Sequence, residues 1–244
     1  MFETGGYRLR MPRSHGPDCD AVMVNTGGGM AGGDALRLGF ACGPGADVTL
    51  TSTAAEKVYR SDGLATRIAV TLDVAKGGRL DWLPQETILF DGADLRRTLD
   101  VSLASDATLL MAEMLVFGRL AMGEVMRAGT LRDRWRIRRD ARLVVAEDVA
   151  LEHDVAALLD RPALGAGARA SATLILVAPD AEPRLDAVRG ALAGSEPTGL
   201  AAGASAWNGH LTVRALSASP ALLRAAIVRV LGVLRSRGPP RSWG

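Results

Sequence analysis

The sequence predicts a mainly β fold in one solenoid-like domain that spans residues 1–244. We expect stacked, helically wound antiparallel and mixed sheets, with two short α-helices near the C-terminus. Apolar side chains recur at every second position through much of residues 35–150, which is the period of a β-strand. A turn followed by such a strand also recurs about every 30 residues, which is typical of stacked β units.

Five stretches carry the two-residue alternation and make residues 1–160 the β-rich part of the chain. In each stretch, one set of side chains is expected to face a core and the other to face water. The members of the first set are Leu36, Leu38 and Phe40; Val48, Leu50 and Ser52; Ile68, Val70, Leu72 and Val74; Leu99, Val101 and Leu103; and Leu131, Trp135 and Ile137.

The repeat begins at a short turn in four places. These are Gly45-Ala46-Asp47-Val48, Gly77-Gly78-Arg79-Leu80, Asp106-Ala107-Thr108-Leu109 and Asp140-Ala141-Arg142-Leu143. The second residues of the four turns are 32, 29 and 34 positions apart. The repeat favours stacked units, and a β-sandwich whose hairpins have similar lengths is the alternative.

Residues 161–244 follow a different pattern of strand, helix, hairpin and C-terminal helix. Ala172 to Ala178 form a compact apolar strand, and Glu182 to Leu192 form a short helix that Gly194 ends. The dipeptide Asn208-Gly209 predicts a two-residue hairpin turn, because these residues tolerate the positive φ angles that such a turn requires.

A longer helix is predicted to begin at Ser219-Pro220, with serine as the cap and proline in the first turn. Its apolar residues share one face and are expected to pack against the sheet. They are Leu223, Ile227, Val230 and Leu234. The helix is predicted to end at Gly238-Pro239.

Composition excludes several classes of protein. The 29 basic and 27 acidic residues give a net charge of +2, which argues against a nucleic-acid binder. The two cysteines, Cys19 and Cys42, are too few for a disulfide framework and lack metal-ligand spacing. Residues 1–13 lack the apolar segment of a signal peptide, and the sequence has no run of about 18 apolar residues. We therefore expect a cytoplasmic protein without a membrane segment.

A glycine-rich segment, residues 25–34, contains the spacing G-x-G-x-x-G. In a dinucleotide-binding unit such glycines open a helix, but the residues that follow here alternate like a strand. We interpret the segment as a structural turn, and its turn residues are Gly27, Gly28, Gly32, Gly33 and Asp34. The alternative is a nucleotide-binding enzyme that uses this loop.

Catalytic motifs are otherwise lacking. The sequence contains neither a phosphate-binding G-x-x-x-x-G-K-[ST] motif nor the G-x-S-x-G turn of serine hydrolases. The histidines His15, His153 and His210 are scattered without metal-ligand spacing, so the identity of any metal ligand stays open. We expect a protein that is not an enzyme.

Polar residues within strongly apolar stretches are the most informative feature. They occur in residues 56–60, in the pair Gln85 and Glu86, and in residues 113–124. Buried carboxylates are costly unless they are paired or line a wet cavity. These residues therefore either form ion pairs between strands or line a polar passage or partner contact. The arginine-rich stretch 132–142 is interpreted as the solvated face of a strand, which could also bind a protein.

The same stretches resemble the successive signature segments of UreD/UreH urease accessory proteins. They are Asn25-Thr26-Gly27-Gly28-Gly29 with Gly32-Gly33-Asp34, Ala54-Ala55-Glu56-Lys57-Val58-Tyr59-Arg60, the segment from Trp82 to Ala93, and Glu113 to Glu124. Their order and separation match across roughly residues 8 to 150. The Leu-Pro-Gln-Glu-Thr-Ile segment is the most specific of them.

The resemblance implies a non-catalytic scaffold that works with UreF, the GTPase UreG and the urease apoprotein in a hetero-oligomer. It implies no tightly bound cofactor, since Ni²⁺ is in transit through an internal water-filled tunnel. Oxygen ligands suit such a passage, because thiolates would hold nickel too tightly. The candidates for the tunnel wall or partner faces are Glu56, Lys57, Tyr59, Arg60, Gln85, Glu86, Asp91, Arg119 and Glu124.

Two features depart from the family pattern. The first signature segment lies close to the start of this chain, whereas family members usually carry a few dozen residues before it that would form opening strands. The glycine-rich segment also begins with Asn25-Thr26, where many relatives have proline-rich residues. A β-solenoid interaction module unrelated to nickel is the second alternative function.

Overall fold

A computed structural model describes residues 2–12, 19–193 and 199–243. It contains fifteen strands and three α-helices within these ranges. The strands are β1 Tyr7–Arg10, β2 Cys19–Asn25, β3 Ala35–Cys42, β4 Asp47–Ser52, β5 Glu56–Val58, β6 Thr66–Val74, β7 Arg79–Leu83, β8 Thr87–Leu89, β9 Asp94–Leu103, β10 Thr108–Phe117, β11 Thr130–Arg139, β12 Arg142–Glu152, β13 Ala170–Val177, β14 Leu200–Trp207 and β15 His210–Ser217. The helices are α1 Val155–Asp160, α2 Leu185–Ala193 and α3 Pro220–Leu234.

The strands form two stacked sheets. The first sheet has the order β1-β2-β4-β7-β10-β13-β15-β14, with β8 pairing with both β10 and β5. The second sheet has the order β12-β11-β9-β6-β3. From β2 to β11 the chain passes repeatedly between the sheets, and each coil adds one parallel strand to the second sheet and one or two to the first. The mainly β, solenoid-like prediction is confirmed.

Three of the four repeat turns have equivalent positions in this stack. Val48, Leu80 and Leu109 occupy the same register on three neighbouring parallel strands of the first sheet. Parallel neighbours cannot be joined by two-residue hairpins, which rules out a sandwich of simple hairpins in this region.

The fourth turn is followed by a strand as predicted, but that strand does not continue the parallel stack. Asp140 and Ala141 both have positive φ angles, of 46° and 62°. They therefore form a tight turn that reverses the chain, and β12 pairs antiparallel with β11 in the second sheet.

Two apolar cores lie on either side of the first sheet. One fills the space between the sheets and includes Leu50, Leu72 and Leu99. The other lies beneath α2 and α3 and includes Leu174 and Ile227. The first sheet is therefore buried on both faces in its central strands.

This double burial overturns one expectation for β4. Its threonines were predicted to face water, yet Thr49 and Thr51 are buried. The C-terminal segment covers them: Arg235 Nη2 donates to Thr49 Oγ1 at 2.8 Å, and the Ser242 hydroxyl group is hydrogen-bonded to Thr51 Oγ1 at 3.0 Å. Alternation failed as a guide to exposure here because a threonine can be buried once its hydroxyl group is hydrogen-bonded.

The C-terminal elements largely match the sequence pattern. Strand β13 and the hairpin turn are confirmed, with φ angles of 52° and 76° at Asn208 and Gly209. Helix α2 follows a short 3₁₀ turn, Glu182–Arg184, and Gly194 lies outside the described residues. One further helix, α1, precedes β13 and was not predicted.

Helix α3 begins as predicted, where Ser219 Oγ accepts a hydrogen bond from the Leu222 backbone N–H. Its predicted end is wrong, since the helix ends at Leu234 rather than at Gly238-Pro239. Arg235 takes an extended conformation instead, and its Nε donates to the buried Asp81 carboxylate at 2.7 Å. The hydrogen bond to the buried Asp81 thus holds Arg235 in an extended conformation, and the helix ends before Gly238.

Candidate functional site

A cavity of about 270 Å³ lies between the two sheets. Its apolar lining comes from both sheets, with Met23 on β2, Leu38 on β3 and Ile68 on β6. Its polar lining is contributed by Tyr7, Asn25, Glu56, Lys57, Trp82, Gln85, Arg97 and Glu113. The winding of the chain places these distant residues around one space.

Glu56 anchors one wall of the cavity. Its carboxylate accepts hydrogen bonds from the Tyr7 hydroxyl group and from Asn25 Nδ2, the latter at 2.9 Å. Tyr7 and Asn25 are register partners on β1 and β2, so both side chains point to the same place. Burial raises the pKa of Glu56, and the hydrogen bonds from Tyr7 and Asn25 oppose that rise. Burial and the nearby Glu56 also raise the pKa of Tyr7.

A buried ionic network of Arg97, Glu113 and Asp133 lies beside the cavity, and its Arg97 and Glu113 belong to the cavity lining. Arg97 binds Asp133 through two hydrogen bonds of 2.9 and 2.5 Å, and its Nη1 donates to Glu113 at 2.5 Å. The three side chains are between 3% and 5% exposed. Arg97 and Asp133 are register partners on β9 and β11, whereas Glu113 reaches them from β10 in the other sheet. The network therefore ties the two sheets together.

Two tryptophans complete this network. Trp82 Nε1 donates to Glu113 at 2.6 Å, and Trp135 Nε1 donates to Asp133 at 2.8 Å. Burial raises the pKa of Glu113, opposed by the adjacent Arg97. Burial alone would lower the pKa of Arg97, but Asp133 and Glu113 raise it above its ordinary value. Two carboxylates share one guanidinium group, so with all three groups ionised the network carries one net negative charge.

The polar lining continues beyond the network. Arg97 and Glu113 also line a small void of about 50 Å³ together with Asp133, Glu147 and Ser171. Oxygen-bearing side chains therefore follow one another from Glu56 through the network to Glu147, with Arg97 between the two spaces.

Gln85 and Glu86 hold the C-terminal segment. Gln85 lines the cavity and donates from Nε2 to the carbonyl oxygen of Ser242 at 2.6 Å. Glu86 pairs with Arg224 of α3 at 3.0 Å, and Arg224 also lies over the Trp243 ring. These two signature residues thus connect the cavity rim to the last helix.

The remaining candidates form a separate surface group, the loop cluster, which consists of Tyr59, Arg60, Asp91, Arg119 and Glu124. Arg119 pairs with Glu124 at 2.5 Å, and this hydrogen bond lowers the pKa of the Glu124 carboxyl group. Asp91 accepts from the backbone N–H groups of residues 127 and 128 and pairs with Arg60 at 3.4 Å. The loop cluster closes the ends of β5, β8 and β10 and does not line the cavity.

The glycine-rich segment is a loop between β2 and β3, as predicted. Gly28 and Gly33 have φ angles of 76° and 89°, and Asp34 accepts a hydrogen bond from the Ala31 backbone N–H. A Cβ atom on Gly29 would lie 2.5 Å from the Tyr59 ring. Strand β3 follows the loop, where a dinucleotide-binding unit requires a helix.

Comparison with known proteins identifies the chain's family. The family model for the UreD urease accessory protein matches residues 1–244. The chain belongs to the UreD urease accessory protein family. Membership confirms the resemblance seen in the sequence and supports a role in urease maturation.

UreD proteins of several bacteria are similar along the whole chain. The urease accessory protein UreD of Methylobacterium sp. (strain 4-46) is 52% identical over 245 residues, covering 100% of this chain and 87% of that protein. The UreD proteins of Xanthobacter autotrophicus and Rhodopseudomonas palustris are 49% and 45% identical. All of this chain and 83% and 86% of these two proteins are covered.

Tyr7 and Arg97 of the cavity lining and Asp133 of the adjoining network are not among the predicted site residues, and Asn25 was noted only as part of the glycine-rich segment. Two of them carry a sequence signal, because they are charged residues on the apolar side of an alternating strand. Arg97 lies between Leu95 and Leu99, and Asp133 precedes Trp135 by two positions. Glu113 was noted as a polar residue in an apolar stretch, and the structure gives it a defined role.

The described part of the chain lacks both clusters of metal ligands and membrane-spanning helices. In residues 2–12, 19–193 and 199–243, histidine, cysteine and carboxylate side chains do not gather in threes that could hold a metal ion. The helices within the same ranges also lack the length and apolar character needed to span a membrane.

Replacing Glu56 with glutamine is expected to change how stability depends on pH. The raised pKa of Glu56 means that its protonated form is favoured in the folded state, a contribution present below the ordinary value of 4.5. That contribution is lost as the pH rises through the folded-state pKa. Wild-type protein should therefore lose stability relative to the variant as the pH rises above 4.5.

Urea denaturation of both proteins between about pH 4.5 and 7.5 measures this difference. The exposed substitution Glu182→Gln controls for the loss of one negative charge. A constant difference between wild type and Glu56→Gln across the range would contradict the assignment.

Proposed function

We propose that this UreD-family member is a non-catalytic maturation factor that assists nickel insertion into apo-urease in complex with UreF and UreG. The observation that supports this proposal is the cavity between the sheets, whose lining includes the Glu56 and Glu113 carboxylates. The cavity is largely apolar, and a few carboxylate, amide and guanidinium groups line it in place of a set of metal ligands. Such a lining suits a protein that passes a cation on.

The chemistry of the lining favours transit over storage. Carboxylate and amide oxygens bind nickel more weakly than thiolates do, and the cysteines do not line this cavity. Arg97 occupies the space between Glu113 and Asp133, so these carboxylates attract a cation electrostatically without both being free to chelate it. Nickel is the cargo in this proposal, and the chain needs no tightly bound cofactor.

The loop cluster and the Glu86–Arg224 pair are proposed as partner contacts. The loop cluster and Glu86 fall in the signature segments, and Glu86 pairs with Arg224 of α3. Arg119 and Arg60 are exposed and carry charges that another subunit can pair with. On this proposal the chain works in a cytoplasmic hetero-oligomer with the urease apoprotein.

The proposal is tested in cells that express the urease operon with and without this chain. We expect apo-urease without the chain and nickel-loaded urease with it, measured as nickel content and urease activity of the purified enzyme. Glu56→Gln should lower the nickel content severalfold, since it removes a negative charge from the cavity wall. Glu182→Gln, an isosteric change on the surface, should not lower it.

Three outcomes would contradict parts of the proposal. Equal nickel loading with and without the chain would remove the maturation role. Failure of the chain to co-purify with UreF and UreG would remove the complex and favour an unrelated interaction module. Saturable binding of NAD or ATP by the isolated chain would favour the enzyme alternative.

A further inference from the structure

Five exposed arginines cluster on the outer face of the second sheet. We call this surface the arginine face, and it consists of Arg37, Arg67, Arg96, Arg132 and Arg134. Only the stretch 132–142 stands out as arginine-rich in the sequence, because the other three arginines lie on different strands. Strands β3, β6, β9 and β11 bring them together.

The register of the parallel strands aligns these residues in two rows. Arg67, Arg96 and Arg132 are direct neighbours on β6, β9 and β11. The second row holds Arg37 on β3 and Arg134 on β11, separated by Ala69 and Thr98. The small side chains leave a groove of about 520 Å³ on this face, lined by all five arginines.

Most of this positive charge is not neutralised within the chain. Arg96 lies 3.6 Å from Asp94, and Arg132 pairs with Glu152. Among the described residues, Arg37, Arg67 and Arg134 have no carboxylate partner within 4.0 Å. Farther along the same face the arginines are paired, as Arg136 is with Asp148. The free charge is therefore concentrated at one end of the sheet.

We propose that the arginine face binds the acidic side of a helix from a partner protein. Neighbouring strands lie about 4.8 Å apart, which sets the spacing of the first arginine row. Carboxylates at positions i, i+3 and i+4 of a helix lie about 5–6 Å apart, whereas alternate residues of an extended chain are separated by about 6.6 Å. The carboxylate spacing on a helix is therefore closer to the spacing of the arginine row than that of an extended chain is.

The chemistry of arginine fits this occupant. Its guanidinium group stays charged, binds carboxylates through two parallel hydrogen bonds and is weakly hydrated. The floor of the groove is formed by small residues such as Ala69 and Thr98, which let a helix approach the sheet closely. The neighbouring carboxylates Asp94, Asp148 and Glu152 would repel a continuous phosphate backbone and favour a ligand with spaced charges.

This inference is independent of nickel delivery, since its test uses neither nickel nor urease. The full chain is titrated against a fluorescein-labelled, alanine-rich helical peptide of about 20 residues with glutamates at i, i+3 and i+4. Binding is followed by fluorescence anisotropy at low and high NaCl concentration. We expect saturable binding that weakens with salt, because exposed charges are screened.

The decisive comparison uses two variants with the same change in net charge. The triple variant Arg37→Glu, Arg67→Glu, Arg134→Glu should raise the Kd at least about tenfold, since like charges then face one another. The control triple variant Arg127→Glu, Arg142→Glu, Arg161→Glu replaces exposed arginines outside the arginine face and should leave the Kd within about twofold. Replacement of the first three arginines with glutamine should give a smaller loss in the same direction.

Four results would overturn the proposal. One is equal weakening by both triple variants, which would show an effect of net charge alone. Others are equally tight binding of a proline-interrupted peptide of the same charge, of duplex DNA, or of vesicles containing phosphatidylserine. Circular dichroism of each variant confirms that a loss of binding reflects the surface and not unfolding.

Discussion

Replacing Arg97 with leucine is expected to lower the free energy of unfolding by about 3–5 kcal/mol. The substitution leaves the Glu113 and Asp133 carboxylates buried without their shared guanidinium group. The tryptophan N–H groups that also bind them cannot compensate for a full charge. Both sheets contribute to the network, so its loss affects the core between them.

Urea denaturation followed by tryptophan fluorescence measures this effect, because Trp82 and Trp135 both donate to the network. The loss should shrink as the pH falls, since burial already raises the pKa of Glu113 and its protonation removes the uncompensated charge.

The matched control replaces all three ionic residues with apolar ones, as Arg97→Met, Glu113→Leu and Asp133→Leu. Replacing a complete buried ionic network is often neutral or stabilising, so this triple variant should recover most of the lost stability. A single variant Arg97→Leu that loses less than about 1 kcal/mol would show that the network is not ionised as described.

The wound sheets could be predicted because their strands carry local evidence. Residues 66–74 alternate perfectly, and the structure buries Ile68, Val70, Leu72 and Val74 as that pattern requires. The turn at Asn208-Gly209 was equally clear, because few residues accept its φ angles. Where a structure depends on one strand and its turn, the sequence is sufficient.

Features that depend on distant segments were harder to predict. The fourth repeat turn resembles the other three in sequence, and only the pairing of β12 with β11 shows that the chain reverses there. The burial of Thr49 depends on Arg235, which lies 186 positions away. Local periodicity contains no information about what covers the second face of a sheet.

The signature segments supplied candidate positions without showing how these are grouped in the fold. Glu56 and Gln85 line the cavity, whereas Arg119 and Asp91 belong to the loop cluster on the surface. Arg97 and Asp133 were not among the predicted site residues, yet Arg97 lines the cavity and binds Asp133 in the buried network. A charged residue on the apolar side of an alternating strand deserves the same weight as a matched motif, because burial there requires a partner.

Gly118→Ala is expected to destabilise the protein by about 2–6 kcal/mol, combining backbone strain with overpacking. Gly118 follows β10 with a φ angle of 107°, which L-residues rarely adopt. An added Cβ atom would lie 2.4 Å from the Glu124 carbonyl oxygen and 2.6 Å from Val125 Cα. Both are backbone atoms, so relief requires the loop that carries Glu124 to move.

Gly123→Ala separates the two causes, because Gly123 lies in the same loop with a φ angle of 70° and open space around its Cα. This variant should lose only the conformational cost of about 1–2 kcal/mol. Thermal and urea denaturation of both variants measure the difference. A shift of the loop in Gly118→Ala would also separate Glu124 from Arg119. The nickel content of urease matured in cells that carry Gly118→Ala therefore tests whether the loop cluster contributes to maturation. Equal destabilisation by the two substitutions would show that the close backbone approach at Gly118 is not a constraint on the fold.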